Sequence, residues 1–220
     1  MIFWSQFPRA LCLPDNCGCE FVDVNAWIAQ SSAFWSSFFH LFLAIYFYRV
    51  IPLKDPKMRL WFFSLVLLAL GSLFGHGTFL EFAMATDFAG IILVTSFFAL
   101  YSFMSRFKLS SFKLVCSLIF YFAGLTFAFY SLEKWTKVSL CLFVVGLAMF
   151  EMIKQMGSGI LKQNEIRMAI SLLLVSFGFF ILDELKIFCD PHSWLSGHSV
   201  WHLGTALSLN IYGRFRLQST

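Results

Sequence analysis

Long apolar runs separated by short polar breaks make up most of this chain. Each run approaches the roughly 20 residues that an α-helix needs to cross the hydrocarbon core of a bilayer. The breaks contain charged residues and prolines, and they leave seven apolar segments between residues 27 and 214. The pattern predicts an all-α fold, a seven-transmembrane helix bundle, with segments at 27–50, 58–79, 83–105, 111–132, 136–154, 166–185 and 194–214.

The composition supports a membrane protein. Hydrophobic residues make up 59% of the 220 residues and charged residues only 13%, whereas soluble domains typically carry about 25% charged residues. We interpret 1–220 as a single integral membrane domain in which a short segment, 1–26, precedes the helices. Pro8 and Pro14 interrupt that segment, so we interpret it as retained rather than as a signal peptide. The sequence has no long charged tail that would bind nucleic acid.

Basic residues are distributed unevenly between the two ends of the predicted helices. Alternating the sides of the membrane along the chain assigns twelve of the 16 Lys and Arg residues to one side. The other side receives Arg9, Lys134, Lys137 and Lys186. Because Lys and Arg collect on the cytoplasmic face, the distribution predicts the N-terminus outside and the C-terminus inside. That arrangement requires an odd number of crossings.

Two histidines, His198 and His202, lie four residues apart near the outer end of the last segment. Residues at this spacing share one helix face, so both imidazoles can point at one ion. His76, near the outer end of the second segment, can supply a third nitrogen. Three neutral nitrogens leave a fourth tetrahedral position for water, which is the pattern of a catalytic zinc site.

Two more polar residues lie at a similar depth. Ser72 precedes His76 by one helical turn, and Asp87 lies near the start of the third segment. Each candidate has another explanation: the His198 and His202 pair can be interfacial or hydrogen-bonded, Ser72 can serve helix packing, and Asp87 can favour a helix start. Their joint occurrence favours a metal site, since each buried polar group without a partner is costly.

The remaining polar candidates lack such neighbours. We interpret His40 in the first segment and His192 in a loop as structural, and Asp183 and Glu184 as interfacial.

The six cysteines divide into two groups. Two lie within apolar segments, where cysteine behaves as a packing residue: Cys116 and Cys141. Four lie on the predicted outer side, where a disulfide can persist: Cys12, Cys17, Cys19 and Cys189. Zinc binding by the "CGC" sequence is the competing interpretation, and no matching pair follows it.

The spacing S-x3-H-x10-D, formed by Ser72, His76 and Asp87, is followed by Cys189 and then by H-x3-H with Trp201 before the last His. This set resembles the alkaline ceramidases. They belong to a superfamily of seven-helix membrane hydrolases that also includes the adiponectin and progestin receptors. The resemblance extends from about Cys19 to the end of the last segment.

The resemblance implies a function and roles for five residues. The implied activity is zinc-dependent hydrolysis of an amide-linked lipid, with ceramide as the leading candidate and a fatty acid and a sphingoid base as products. By the same resemblance the zinc ligands are His76, His198 and His202, and the residues acting beside the metal are Ser72 and Asp87.

The resemblance also implies a disulfide between Cys19 and Cys189. It is weaker at the family's calcium-binding stretch, which has the form D-W-C-E-x-N and is followed by a Glu in the first helix. Here Glu20 fits, but the next oxygen ligands are out of register and Gln30 stands where that Glu is expected. Reduced charge and altered spacing weaken the case for calcium near Glu20.

Two other functions stay open at this point. One is a receptor of the adiponectin or progestin type that retains the zinc site, although the charge distribution speaks against its orientation. The other is a transporter in which the histidines and Asp87 relay protons. The acyl-chain length of a substrate and the oligomeric state cannot be read from the sequence.

Overall fold

The computed structural model describes residues 8, 10, 18–23, 25–50, 56–105, 110–132, 134–156, 163–187 and 189–218. These residues form seven α-helices, which confirms the predicted all-helical fold. The helices are α1 (Ser31–Val50), α2 (Pro56–Thr78), α3 (Glu81–Ser105), α4 (Ser111–Ser131), α5 (Lys134–Met156), α6 (Gln163–Glu184) and α7 (Gly197–Gln218).

Three stretches within the described helices are long and apolar enough to cross a membrane: Met58–Thr78, Phe112–Ser131 and Gln163–Glu184. Large apolar side chains also cover much of the outside of the molecule. On α4, Phe120 and Phe127 are 77% and 73% exposed. An apolar exterior of this extent is typical of a surface that contacts lipid. These properties are those of a membrane protein.

Close packing of α2 against α3 aligns two of the candidate residues. A Cβ atom added to Gly71 would lie 2.7 Å from the carbonyl oxygen of Thr86, and one added to Gly90 would lie 2.8 Å from the Cα of Leu68. Glycine therefore permits the two backbones to approach each other closely. As a result, Ser72 on α2 lies beside Asp87 on α3.

Helix α1 packs against both α2 and α7. This arrangement brings the end of α2, which carries His76, close to the start of α7, which carries His198 and His202. Helix α7 in turn packs against α6, where a Cβ on Gly197 would collide with the Phe179 carbonyl. The connectivity thus assembles the three histidines from two helices that are far apart in sequence.

The start of α1 differs from the prediction by four residues, because long-range contacts hold the chain before Ser31. The N–H of Ala29 donates to the Gly77 carbonyl at 2.9 Å, and that of Gln30 donates to the His76 carbonyl at 3.0 Å. Glu20 accepts the backbone N–H groups of Ser32 and Ala33 in the first turn. The apolar pattern at 27–30 therefore belongs to a segment that is anchored to the end of α2.

The N-terminal segment is also attached to the connection between α6 and α7. A disulfide joins Cys19 to Cys189 with a Cα–Cα distance of 5.4 Å, and this is the pair that the family resemblance implies. The Cys19 N–H donates to the Asp183 carboxylate at 3.1 Å. Asp183, at the end of α6 and expected to be interfacial, is buried within the protein. Cys12 and Cys17 lie outside the described residues.

Candidate metal centre

Three histidine side chains converge between α2 and α7. One ligand nitrogen from each of His76, His198 and His202 lies within 4.8 Å of the other two. The ring centroids are 4.8 Å apart for His76 and His198, 5.1 Å for His76 and His202, and 4.8 Å for His198 and His202. This group could hold a metal ion, and imidazole nitrogens suit zinc, copper, iron or nickel.

The hydrogen bond of His76 determines which of its nitrogens faces the cluster. Its Nδ1 lies 2.7 Å from the side-chain oxygen of Gln30. Because an amide oxygen only accepts, Nδ1 carries the proton and Nε2 carries the lone pair. That Nε2 atom is buried without a hydrogen-bond partner among the described residues, so its lone pair is available to a metal ion.

His202 is oriented by the first helix. Its Nδ1 lies 2.8 Å from the Ser36 hydroxyl, which also reaches the Ala33 carbonyl at 3.1 Å. When the hydroxyl donates to the carbonyl, its oxygen accepts from Nδ1–H and leaves Nε2 of His202 free for a metal. Partners of this kind, one layer outside the ligands, fix the tautomer and the ring orientation in metal sites.

Asp87 lies next to the cluster without belonging to it. Its Oδ2 atom lies 3.6 Å from Nε2 of His76. The Ser72 hydroxyl hydrogen-bonds the Asp87 carboxylate and also lies 2.9 Å from the hydroxyl of Ser37. Both Ser72 and Asp87 are buried. The structure therefore holds a carboxylate and a hydroxyl side by side at the edge of the three histidines.

A cavity extends from this centre into the bundle. The empty space along it, counted together with the open space at its mouth, is about 720 Å³. At the candidate metal centre its wall includes Ser72, Asp87 and His202, and elsewhere it is lined by apolar side chains such as Leu68 and Val94. The polar groups thus lie at the surface of a mainly apolar cavity.

The structure assigns other roles to the remaining sequence candidates. His192 is exposed in the connection before α7, where its ring lies 5.4 Å from that of Phe21. Both carboxylate oxygens of Glu20 are engaged by backbone N–H groups at the start of α1. Burial raises the pKa of the Glu20 carboxyl to about 7, although these hydrogen bonds act in the opposite direction.

Four residues around the centre were not placed at the metal site by the sequence analysis, which interpreted His40 as structural and considered Gln30 only for calcium: Gln30, Ser36, Ser37 and His40. Ser36, Ser37 and His40 all contact groups at or beside the histidine cluster. The spacing of Ser36 and His40, four residues apart on one helix face, was the available signal. The spacing does not indicate which neighbouring helix that face contacts.

Comparison of the chain with models of known protein families and with curated proteins found no match. The fold and the site define its class: an all-helical membrane protein with a candidate three-histidine metal centre.

Proposed function

We propose that the protein is a zinc-dependent hydrolase that cleaves an amide-linked lipid, with ceramide as the leading substrate, within a bundle of seven transmembrane helices. One observation carries the proposal. The ligand nitrogens of three histidines lie within 4.8 Å of one another, at a cavity whose wall also contains Asp87 and Ser72. The resemblance to the alkaline ceramidases adds the chemical class of the substrate.

Zinc fits the donor set. His76, His198 and His202 would hold the ion, and three neutral imidazoles are a known ligand set of catalytic zinc. The ion would act as a Lewis acid and lower the pKa of water to about 7. The unpaired Nε2 of His76 and the hydrogen bonds that orient His76 and His202 support this assignment.

Asp87 is proposed as the general base and acid. Its carboxylate would take a proton from the attacking water while a C–O bond forms at the amide carbon. It would then return the proton to the nitrogen as the C–N bond breaks, giving a fatty acid and an amine. Ser72 would hydrogen-bond the developing oxyanion or hold the water, because its hydroxyl already lies beside the Asp87 carboxylate.

The proposed orientation has the metal centre towards the outer side of the membrane. The distribution of basic residues supports it, and so does the disulfide between Cys19 and Cys189, since disulfides persist outside the reducing cytosol. A cavity with a mainly apolar wall suits a hydrocarbon chain that stays within the bilayer.

Metal analysis followed by an activity assay tests the proposal. The purified wild-type protein should contain zinc, and His76→Ala, His198→Ala and His202→Ala should each lose most of it. His192→Ala is the matched control, because His192 is an exposed histidine that does not belong to the cluster. The zinc-loaded protein should then release fatty acid from a labelled ceramide.

The two steps separate the alternatives. Bound zinc without release of product favours a receptor of the adiponectin or progestin type. Zinc retained in all three alanine variants, or absent from the wild-type protein, contradicts the metal assignment and favours a transporter.

A further inference from the structure

Ser37 on α1 is a fully buried residue that the proposed chemistry does not use. It is 0% exposed, and its hydroxyl oxygen lies 2.7 Å from the Ala33 carbonyl oxygen. The same hydroxyl oxygen lies 2.9 Å from that of Ser72 on α2. Ser37 thus connects the first helix to the serine that hydrogen-bonds the Asp87 carboxylate.

The hydroxyl of Ser72 differs from the other buried hydroxyls of α2. Those of Ser64 and Thr78 donate to carbonyl groups of the preceding helical turn, at 2.9 Å and 2.8 Å. The hydrogen-bonding contacts of the Ser72 hydroxyl within the described part of the chain are instead with the side chains of Ser37 and Asp87. A serine hydroxyl has a single hydrogen, so Ser72 can donate to one of these two groups at a time.

The row formed by Ser37, Ser72 and Asp87 can arrange its hydrogens in two ways. An ionised carboxylate only accepts, so with Asp87 ionised Ser72 donates to Asp87 and Ser37 donates to Ser72. The Ala33 carbonyl then still accepts the Ser36 hydroxyl, 3.1 Å away. When Asp87 carries a proton it donates to Ser72, and Ser72 donates to Ser37. The Ser37 hydroxyl then donates to the Ala33 carbonyl at 2.7 Å.

The contact between Ser37 and Ser72 contains one hydrogen in both arrangements, and only the direction of donation changes. Each hydroxyl rotates about its C–O bond, and no serine O–H bond breaks. Without the hydroxyl of Ser37, Ser72 loses a donor in the first arrangement and an acceptor in the second. Because an unpaired buried polar group is costly, this loss would impede the reversal of the Ser72 hydroxyl.

We propose that Ser37 is a positioning residue of the hydrolase, which acts through Ser72 by letting the Ser72 hydroxyl reverse its direction as Asp87 takes up and returns a proton. This inference rests on the proposed function, in which Asp87 exchanges that proton. The proton moves from the attacking water to Asp87 and then to the amide nitrogen, and it does not pass through either serine. Ser72 then holds the water by accepting from it, because its own hydrogen points at Asp87 or Ser37 throughout.

Zinc affinity and steady-state kinetics of full-length variants test this role. Ser37→Ala should keep its zinc affinity, because Ser36, at 2.8 Å, is closer to Nδ1 of His202 than Ser37 is, at 3.4 Å. Its kcat with labelled ceramide should fall about tenfold, the effect of one neutral hydrogen bond, while KM stays the same. Ser36→Ala should show the opposite pattern and lose zinc affinity, since Ser36 orients a ligand.

A double variant separates an effect through Ser72 from a general effect on packing. In a protein that already carries Ser72→Ala, adding Ser37→Ala should lower kcat no further. Ser64→Ala is the matched control, because Ser64 is also 0% exposed and donates to a carbonyl one turn earlier, and its kcat should equal that of wild type. Ser37→Thr keeps the hydroxyl and should restore most of kcat. If Ser37→Ala does not fold, Ser37→Cys should show the same loss, since a thiol hydrogen-bonds weakly.

Equal kcat in wild type, Ser37→Ala and Ser64→Ala overturns the role of Ser37 and leaves the hydrolase function standing. So does an equal loss of kcat from Ser37→Ala with and without the Ser72 hydroxyl, because the effect then does not pass through Ser72. Loss of zinc from Ser37→Ala would assign Ser37 to the metal ligands instead. A wild-type protein that binds zinc but releases no fatty acid contradicts the hydrolase function and, with it, the role of Ser37.

Discussion

Gln30 shows how one residue outside the ligand set can determine what a histidine does. An imidazole can bind a metal through either nitrogen, and the partner of the other nitrogen decides between them. The amide oxygen of Gln30 holds Nδ1–H of His76 at 2.7 Å, which turns Nε2 towards the cluster. The resemblance implies a Glu at this position. Gln30 therefore also tests whether an uncharged acceptor is sufficient to orient His76.

Replacing Gln30 should weaken metal binding without removing a ligand. We expect Gln30→Leu to lower zinc affinity about 10- to 100-fold, the typical effect of losing such a partner. Gln30→Glu keeps an acceptor for Nδ1–H and should stay closer to wild type. Competition with a chelator measures both affinities, and Gln163→Leu on α6 serves as the control. Equal zinc affinity in Gln30→Leu and wild type would show that His76 is oriented by its packing alone.

Asp87 allows the binding of the metal to be separated from its use. Helix α3 begins at Glu81, so Asp87 lies in the second turn, is buried, and is hydrogen-bonded by Ser72. A residue that only favoured the helix start would lie in the first turn. This position agrees with a carboxylate that serves the site.

Asp87→Asn should keep its zinc and lose at least about a hundredfold in turnover, because an asparagine cannot accept the proton that a general base removes. Turnover per bound zinc with labelled ceramide is the measurement. Glu81→Gln, in the first turn of the same helix, is the matched control and should hydrolyse normally. Normal turnover per bound zinc in Asp87→Asn would contradict the proposed role of Asp87 as the general base.

The spacing of residues predicted part of the candidate site. His198 and His202 share a face because any helix aligns residues four apart, so the pair could be identified from one segment. The roles of Ser36 and His40 could not, because they depend on α1 packing against α7, and hydrophobic segments do not reveal their neighbours.

At the scale of helices, the starts of α1 and α7 depend on side-chain caps. Ser196 accepts the N–H of Ser199 at 3.1 Å at the start of α7, and Glu20 accepts N–H groups at the start of α1 from twelve residues away in sequence. The first cap is local and could be read from sequence, since serine favours this position. The second depends on the fold of the N-terminal segment.

Glu20 should make stability depend on pH. Burial raises the pKa of its carboxyl from 4.5 to about 7 in the folded protein, so between these values the folded state holds a proton that the unfolded state has released. The stabilisation is therefore complete below pH 4.5 and is lost as the pH rises through about 7. This direction follows because the folded state binds more protons.

Thermal unfolding in detergent across that pH range measures the effect. The wild-type melting temperature should fall more steeply with rising pH than that of Glu20→Gln, which cannot ionise. Glu81→Gln should keep the wild-type slope. Identical slopes in wild type and Glu20→Gln would contradict the role of this carboxyl.

At the scale of the whole molecule, the bundle has one apolar end and one polar end. The largest buried apolar cluster includes Phe47, Trp61, Phe97 and Phe215, which lie towards the end of α1, the start of α2 and the ends of α3 and α7. Buried polar residues gather at the opposite ends of the same helices, around His76. Successive helices run in alternating directions, as the seven segments predicted. This alternation brings the buried polar residues of different helices to the same end of the bundle.

Because the buried polar residues lie at one end of the bundle, the orientation of the bundle determines on which side of the membrane the proposed chemistry would occur. Twelve of the 16 basic residues fall on the side assigned to the cytoplasm, and the positive-inside rule acts through such loops and helix ends. The candidate metal centre and the Cys19–Cys189 disulfide lie at the other end of the bundle. We therefore expect the N-terminus outside, the C-terminus inside, and the site towards the outer side.

Epitope tags at Met1 and Thr220 test this orientation. In intact cells whose surface membrane carries the protein, an external protease should cut the tag at Met1 and leave the tag at Thr220 protected. After the cells are permeabilised, both tags should be cut, which controls for the accessibility of the tags themselves. Protection of Met1 with cutting at Thr220 would move the histidine cluster to the cytoplasmic side. A substrate would then have to reach the cluster from the inner leaflet. The disulfide would also lie on the cytoplasmic side, where disulfides are not expected to persist.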